Sequence, residues 1–285
     1  MSRQAGTTDQ VWPAPAKINL FLHVTGRRAD GFHDLQTLFQ LLDWGDELRF
    51  TINDDGRISR HCNITSFPEN DDLCVRAAKL LQRRCGVNAG VHIDLAKRIP
   101  TGAGLGGGSS DAATTLLVLN HLWSCGQTTE QLASLGLELG SDVPLFVHGR
   151  SALAEGRGEH LHPVDLGRKY YLLIFPKFAI STAEVFNHPE LTRDSRPVDL
   201  PVAELAAGRN DCEAVARKLH PDLATLMTDL RPWWLPRLSG TGSTVFLEFT
   251  DKKAANSAAS ALKCRYNVRA VEGVDRSPLL ELLSN

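Results

Sequence analysis

A short glycine-rich segment constrains this chain more than any other part of its sequence. Residues 100–117 read PTGAGLGGGSSDAATTLL, so five glycines and two serines occur within nine residues before an apolar run begins. Glycine permits positive φ and leaves room for an oxygen-rich ligand beside the backbone. Because the segment stands between a predicted strand and a predicted helix, its N–H groups and the helix dipole converge on one position. We expect a bound phosphate there.

The glycine segment differs from the best-known phosphate loops. Gly102, Gly104 and Gly107 satisfy the dinucleotide-binding pattern G-x-G-x-x-G, but a helix is predicted where a Rossmann unit would continue with a strand. No lysine follows the glycines, which excludes the Walker A pattern, and the protein-kinase motifs H-R-D and D-F-G are absent. A dinucleotide-dependent dehydrogenase therefore stays only a distant alternative.

Strand-like alternation precedes the glycine segment. In residues 17–24 apolar side chains alternate with a second set that includes Lys17 and Asn19, which predicts a half-buried strand with both polar residues on one face. Further strands are predicted at residues 46–52 and 91–97, and a helix at residues 72–84. The second of these strands runs directly into the glycine loop.

Helical spacing follows the glycine segment. Apolar residues at 112, 116, 119 and 123 predict an amphipathic helix, with Ser109 or Ser110 as its N-cap. A second helix is predicted at residues 129–139, and residues 143–147 resemble a strand. Near the C-terminus, residues 170–175 and 243–249 are predicted strands with helices between them. This order predicts an α+β protein with two domains, residues 1–160 and 161–285.

Composition excludes several classes of protein. The 285 residues are 42% hydrophobic and 22% charged with a net charge of −2, which is typical of a folded protein without a nucleic-acid partner. Residues 1–15 lack the apolar core of a signal peptide, and no apolar run approaches the length of a membrane span. We therefore expect a cytoplasmic protein. Six cysteines without a C-x-x-C pair predict buried, reduced thiols.

The glycine segment resembles the phosphate loop of the GHMP small-molecule kinases, whose pattern P-x-x-x-G-L-G-G/S-S-S reads PTGAGLGGGSS here. Two more motifs of that family occur in the family's order, PAKINLFLHV at residues 15–24 and LSGTGSTVF at residues 238–246. The resemblance covers nearly the whole chain. It implies the two-domain GHMP kinase fold, with an N-terminal domain similar to domain 2 of ribosomal protein S5 and a ferredoxin-like C-terminal domain. The active site would lie in the cleft between them.

The resemblance also implies ATP and Mg²⁺ as cofactors. Asp142 matches the family's catalytic aspartate, which accepts a proton from the acceptor hydroxyl or orients it, and Lys17 matches its partner. The ligands of the metal stay open, as does the choice between a monomer and a homodimer. The nucleotide would be bound by residues of the loop and the strand before it, namely Lys97, Pro100, Gly102, Gly104, Leu105, Gly106, Gly107, Gly108, Ser109 and Ser110.

Four further blocks, at residues 26–48, 135–149, 154–159 and 210–218, resemble family members whose small-molecule substrate is cytidine diphosphate methylerythritol. By this resemblance Phe32 would stack on the cytosine ring and His33 would hydrogen-bond it. Asn19, Asp142 and Thr182 would contact the remainder of the substrate. Two alternatives stay open: a GHMP kinase of the mevalonate or homoserine type, and a non-catalytic nucleotide or sugar-phosphate sensor, for which loss of the Lys17 and Asp142 pair would be diagnostic.

Overall fold

The computed structural model describes residues 10–64, 68–199, 201, 204 and 208–284. Residues 1–9, which carry most of the stretch used in the signal-peptide prediction, lie outside the described part. No helix in the described ranges combines the length and the apolar character needed to cross a bilayer.

Groups of strands and groups of helices follow one another along the described chain. The strands are β1 (Trp12–Arg27), β2 (His33–Asn53), β3 (Ile58–Cys62), β4 (Gly90–Ala96), β5 (Ala152–Gly156), β6 (His160–Pro163), β7 (Lys169–Phe175), β8 (Arg237–Leu238), β9 (Val245–Phe249) and β10 (Asn267–Val274). The helices are α1 (Leu73–Cys85), α2 (Gly107–Leu122), α3 (Thr129–Leu137), α4 (Val143–His148), α5 (Thr182–Asn187), α6 (Asp211–Leu219), α7 (Pro221–Leu230), α8 (Lys252–Leu262) and α9 (Pro278–Leu283).

Within the described residues, ten strands form one continuous sheet. Its main path runs β3-β4-β2-β10-β7-β9-β8, while β1 pairs with β2, and β5 joins β2 to β6. The last strand, β10, is antiparallel to both β2 and β7 and so connects the two halves of the chain. The mixed content confirms the α+β prediction. The division at residue 160, and the likeness of each half to S5 domain 2 or ferredoxin, stay predictions.

Strand β1 is buried on both faces, so the prediction of a half-buried strand is wrong. Lys17 and Asn19 are only 4% and 3% exposed, because the glycine loop and the strands packed below it cover the face that the sequence pattern left to solvent. The prediction that these two side chains share a face is confirmed, since Lys17 Nζ donates a hydrogen bond to Asn19 Oδ1 at 2.7 Å.

Helix α2 is enclosed by α1, α4 and β1, and residues 110–119 are all buried. The prediction of an amphipathic helix is therefore wrong for this part, because the apolar stripe is only one of several packed faces. Residues 143–147 form helix α4 and not a strand, so that prediction is also wrong. A short apolar run is compatible with either structure, and here Pro144 in the first turn favours the helix.

The glycine loop rests on a core that spans both halves of the chain. One core lies under helices α1–α4 and α9, and a second lies between α6–α8 and strands β7 and β9. A third joins them by packing Leu105 of the loop with Ile18, Tyr171 and Phe246. The loop is thus supported by three strands that are far apart in sequence.

The six cysteines are all free thiols, as predicted. Cys74 and Cys212 are buried, but Cys264 is exposed and the remaining three are half-buried. The prediction that all six are buried is therefore wrong for four of them.

Candidate functional site

A cavity of about 780 Å³ opens between the glycine loop, strand β1, the start of β2 and helix α5. Nearly all of the residues predicted to form the site line it: Lys17, Asn19, Phe32, His33, Lys97, Pro100, Gly102, Gly104, Leu105, Gly106, Gly107, Gly108, Ser109, Asp142 and Thr182. Ser110 does not line the cavity and is fully buried. Its backbone N–H donates to Gly106 O at 2.8 Å within the first turn of the helix.

The loop presents unpaired backbone amides to the cavity. Within the described residues, no acceptor is bonded to the N–H groups of residues 104–109. Helix α2 begins at Gly107 with Gly106 as a left-handed N-cap, so the prediction of a serine N-cap is wrong. A Cβ at Gly106 would lie 2.8 Å from the Phe146 ring, and the cap position is therefore restricted to glycine. Successive free amides at a helix N-terminus bind phosphate groups well.

The loop is supported from below by the segment at residues 238–246. Ser239 Oγ donates to Gly104 O at 2.9 Å, and Thr244 N donates to Ala103 O at 3.1 Å. Ser239 Oγ also accepts the backbone N–H of Asn19 at 3.2 Å, which links the loop to strand β1. Sequence reasoning identified this segment as a family motif but did not assign Ser239 a role.

Lys17 and Asp142 form an ion pair at the wall of the cavity, with Nζ 3.4 Å from Oδ2. Asn19 accepts a hydrogen bond from the Lys17 ammonium and donates from Nδ2 to Thr37 Oγ1 at 2.8 Å. This chain of contacts holds the lysine side chain in one direction. The pair brings a positive charge and a proton acceptor to the same point, beside the loop amides.

Lys97 has an internal role in addition to bordering the cavity. Its Nζ donates to Asp46 Oδ2 at 2.5 Å and to Asp111 Oδ2 at 2.8 Å. Burial by itself lowers the pKa of Lys97, but the two carboxylates outweigh it and raise the pKa overall. Asp46 also accepts the backbone N–H groups of Arg98 and Ile99, so this cluster anchors the start of the loop. The predicted contact between Lys97 and the nucleotide stays a prediction.

The opposite end of the cavity is aromatic. Phe32 is 49% exposed and has the Arg157 guanidinium carbon 4.0 Å from its ring centre, so it is not a buried core residue. The buried His33 lies beside Phe186, with ring centres 5.1 Å apart, and accepts a hydrogen bond from Arg193. Sequence reasoning singled out the block that contains Arg157 but gave that residue no role. It missed Phe186 and Arg193, because no local pattern marks residues whose partners are distant in sequence.

No group of three or more histidine, cysteine, aspartate or glutamate side chains in the described part of the chain could hold a metal ion. Thr182, at the start of α5, has its Oγ1 3.0 Å from Thr241 Oγ1, and both residues line the cavity. Hydroxyl groups, the loop backbone, Lys17 and Asp142 therefore border the space between the loop and the aromatic end.

The sequence around the glycine loop and the fold of the chain match a known class of kinases. Residues 72–150 match the family model described as the GHMP kinases N terminal domain. The fold is similar to that of homoserine kinase from Cytophaga hutchinsonii, with 16% identity, a TM-score of 0.69 and coverage of 97% of this chain and 98% of that one. The chain is an ATP-dependent small-molecule kinase with the GHMP kinase fold.

Closer relatives narrow the class. The 4-diphosphocytidyl-2-C-methyl-D-erythritol kinase of Halorhodospira halophila is 50% identical over 272 residues, 94% of each chain, and that of Nitrosococcus oceani is 47% identical over 273 residues, 96% of this chain and 98% of the relative. A crystal structure of 4-(cytidine 5'-diphospho)-2C-methyl-D-erythritol kinase shares 35% identity with a TM-score of 0.81 and covers 93% of this chain and 100% of its own. The chain belongs to the 4-diphosphocytidyl-2-C-methyl-D-erythritol kinase family.

Proposed function

We propose that this chain transfers the γ-phosphate of ATP to the 2-hydroxyl of 4-diphosphocytidyl-2-C-methyl-D-erythritol, giving the 2-phosphate and ADP in non-mevalonate isoprenoid biosynthesis. The observation that carries the proposal is the 3.4 Å contact between Lys17 Nζ and Asp142 Oδ2, beside the free amides of the glycine loop. Relatives with this named activity, 47% and 50% identical over nearly the whole chain, support the choice of substrate.

In the proposed reaction each part of the site has one task. The amides of residues 104–109 bind the polyphosphate and hold it in line with the acceptor. Asp142 accepts the proton as the hydroxyl O–H bond breaks and the new O–P bond forms, while the bond to the ADP oxygen breaks. The Lys17 ammonium stabilises the negative charge that develops on the acceptor oxygen.

We propose Mg²⁺ as the metal, and the donor set fits it. Ser109 lines the cavity, and within the described residues its hydroxyl has no hydrogen-bond partner. Magnesium is commonly bound by a few protein oxygens together with substrate phosphates, so a cage of carboxylates is not required. The Ser109 hydroxyl and the nucleotide phosphates would hold the ion, which when bound neutralises charge on the transferring group.

The aromatic end of the cavity is proposed to bind the cytidine part of the substrate. Phe32 offers an exposed ring face, and His33 and Phe186 border the same space. Asn19 and Thr182, between this end and the loop, would contact the phosphate or polyol part. A cytoplasmic location and the absence of a nucleic-acid partner stay proposals that rest on composition.

An acceptor panel tests the proposed function. Purified enzyme with ATP and Mg²⁺ is offered the cytidine diphosphate compound, mevalonate and homoserine, and ADP release is measured. We expect turnover only with the cytidine compound. Turnover of only mevalonate or homoserine would show that the chain is a GHMP kinase with a different substrate. Nucleotide binding without turnover of any acceptor would favour a non-catalytic sensor.

A further inference from the structure

Arg193 connects the aromatic end of the cavity to the segment that follows α5. Its Nε donates to His33 Nε2 at 3.1 Å. Its Nη2 donates to the backbone carbonyls of Phe186 at 2.7 Å and His188 at 2.8 Å, and its Nη1 donates to Leu191 O at 3.1 Å. One guanidinium therefore fixes both a histidine ring and the end of the helix that carries Phe186.

The contact with His33 determines where that ring carries its proton. A guanidinium group has only donors, so His33 Nε2 must be the acceptor and cannot carry a hydrogen. The ring is then neutral with its hydrogen on Nδ1. Burial lowers the pKa of His33, and the positive charges of Arg193 and Arg27 lower it further, against an opposing effect of Asp34.

The Nδ1–H group remains available to a ligand. Within the described residues His33 Nδ1 has no hydrogen-bond partner, and the ring borders the cavity beside Phe32 and Phe186. A flat base held between such rings meets a donor there. Cytosine offers acceptors at N3 and O2, whereas uracil carries a hydrogen on N3, which would face the Nδ1 hydrogen.

We propose that Arg193 is a positioning residue that holds His33 in its Nδ1–H tautomer, so that the cavity presents a donor to an acceptor nitrogen of a pyrimidine base and disfavours a base with a hydrogen at that position. The inference rests on the proposed function for its substrate. The tautomer itself is a property of the free enzyme and is tested separately.

Nitrogen-15 NMR of the free enzyme tests the tautomer. The protein is labelled at its ten histidines, and the spectrum of His33→Gln identifies the signals of His33. We expect wild-type His33 to carry its proton on Nδ1, and Arg193→Met to shift the population toward the Nε2–H form. A wild-type ring protonated on Nε2, or a spectrum of Arg193→Met unchanged at His33, would overturn the proposal.

Kinetics test the consequence for the substrate. Arg193→Met should raise KM for the cytidine compound by about tenfold, with little change in kcat or in KM for ATP. It should also reduce by about tenfold the preference for that compound over its uridine diphosphate analogue, because an unprotonated Nδ1 accepts the uracil N3–H. An unchanged preference would refute the role in base selection.

A matched control is Arg196→Met, since Arg196 is exposed and lies three residues away in the same segment. It should leave both the His33 spectrum and the base preference unchanged. If wild-type enzyme shows the Nδ1–H tautomer but does not phosphorylate the cytidine compound, the proposed function fails while the assignment of Arg193 stands. If it phosphorylates the compound while His33 carries its proton on Nε2, the assignment of Arg193 fails and the proposed function stands.

Discussion

Asp142 occupies the N-cap position of helix α4, but its side chain makes no capping hydrogen bond. It points instead toward Lys17, with its carboxylate 31% exposed at the cavity. An aspartate at this position ordinarily stabilises its helix by accepting a backbone N–H. Because the Asp142 carboxylate contacts Lys17 and no backbone N–H of α4, the side chain contributes to the site and not to the stability of the helix.

Asp142→Asn should remove the proton acceptor and leave the shape of the site unchanged. We expect kcat to fall by about 100-fold or more, with ATP affinity nearly unchanged. Steady-state kinetics and ATP titration measure the two quantities. The exposed Asp54, changed to asparagine, is a matched control, and near-normal turnover of Asp142→Asn would refute the assigned role.

Phe32→Ala should remove the exposed ring face at the aromatic end. Stacking on a base contributes about 1–3 kcal/mol, so we expect KM for the cytidine substrate to rise about tenfold while kcat changes little. Phe32→Tyr keeps the ring and should stay close to wild type. Trp233→Ala removes another exposed aromatic outside the cavity lining and should have no effect on KM. Equal KM values for the two alanine variants would contradict the stacking role.

The four residues Lys17, Asn19, Phe32 and Thr182, assigned to the site from the family resemblance, line one cavity. The first three lie in segments with a recognisable local pattern, whereas Thr182 does not. The contacts of Arg157 and Arg193 with the aromatic end of the cavity were not predicted. Arg193 acts on a histidine 160 residues away, and such a contact leaves no periodicity or spacing to read. The ion pair between the Asp111 carboxylate of α2 and the Lys97 ammonium was not predicted either.

Among the elements, the glycine loop depends on close backbone contact with the segment at residues 238–246. A Cβ at Gly104 would lie 2.3 Å from Ser239 O, and its φ of +74° is one that glycine adopts most readily. Strand β4 before the loop and strand β9 at the end of the supporting segment were both predicted from the sequence. Helix α4 was not, because tertiary packing decides the conformation of a short apolar run.

Gly104→Ala should separate the loop from its support. We expect a loss of about 3 kcal/mol of unfolding free energy and a rise in KM for ATP of about tenfold or more. Gly86→Ala is the matched control, since Gly86 has φ of +63° with open space around it. That change should cost only about 1 kcal/mol and leave KM for ATP unaltered. Urea unfolding and kinetics compare the variants, and matching behaviour of the two would disprove the contact argument.

At the scale of the whole molecule, Trp12 near the start of the described residues and Leu279 near their end are buried in one core. Leu279 of the last helix is buried in the core under α1–α4, and β10 lies between β2 and β7. The sheet order could not be predicted from the sequence, because β10 pairs with strands whose register is set by distant contacts.

Leu279→Ala should therefore destabilise the part of the molecule that carries the glycine loop. We expect a loss of about 2–5 kcal/mol of unfolding free energy, as for other buried leucines. Leu282→Ala in the same helix is the matched control, because Leu282 is 38% exposed and should lose about 0.5 kcal/mol or less. Thermal or urea unfolding measures both variants, and similar losses would show that the last helix is peripheral.

The placement of β10 has a consequence for synthesis on the ribosome. Strand β7 emerges at residues 169–175, but its sheet partner β10 is made only at residues 267–274, and the support of Gly104 only at residues 238–246. At translation rates of about 5–20 residues per second, an open sheet edge persists for many seconds. A nascent chain therefore has an unsupported glycine loop and a β7 edge exposed to aggregation until residues 267–274 have emerged.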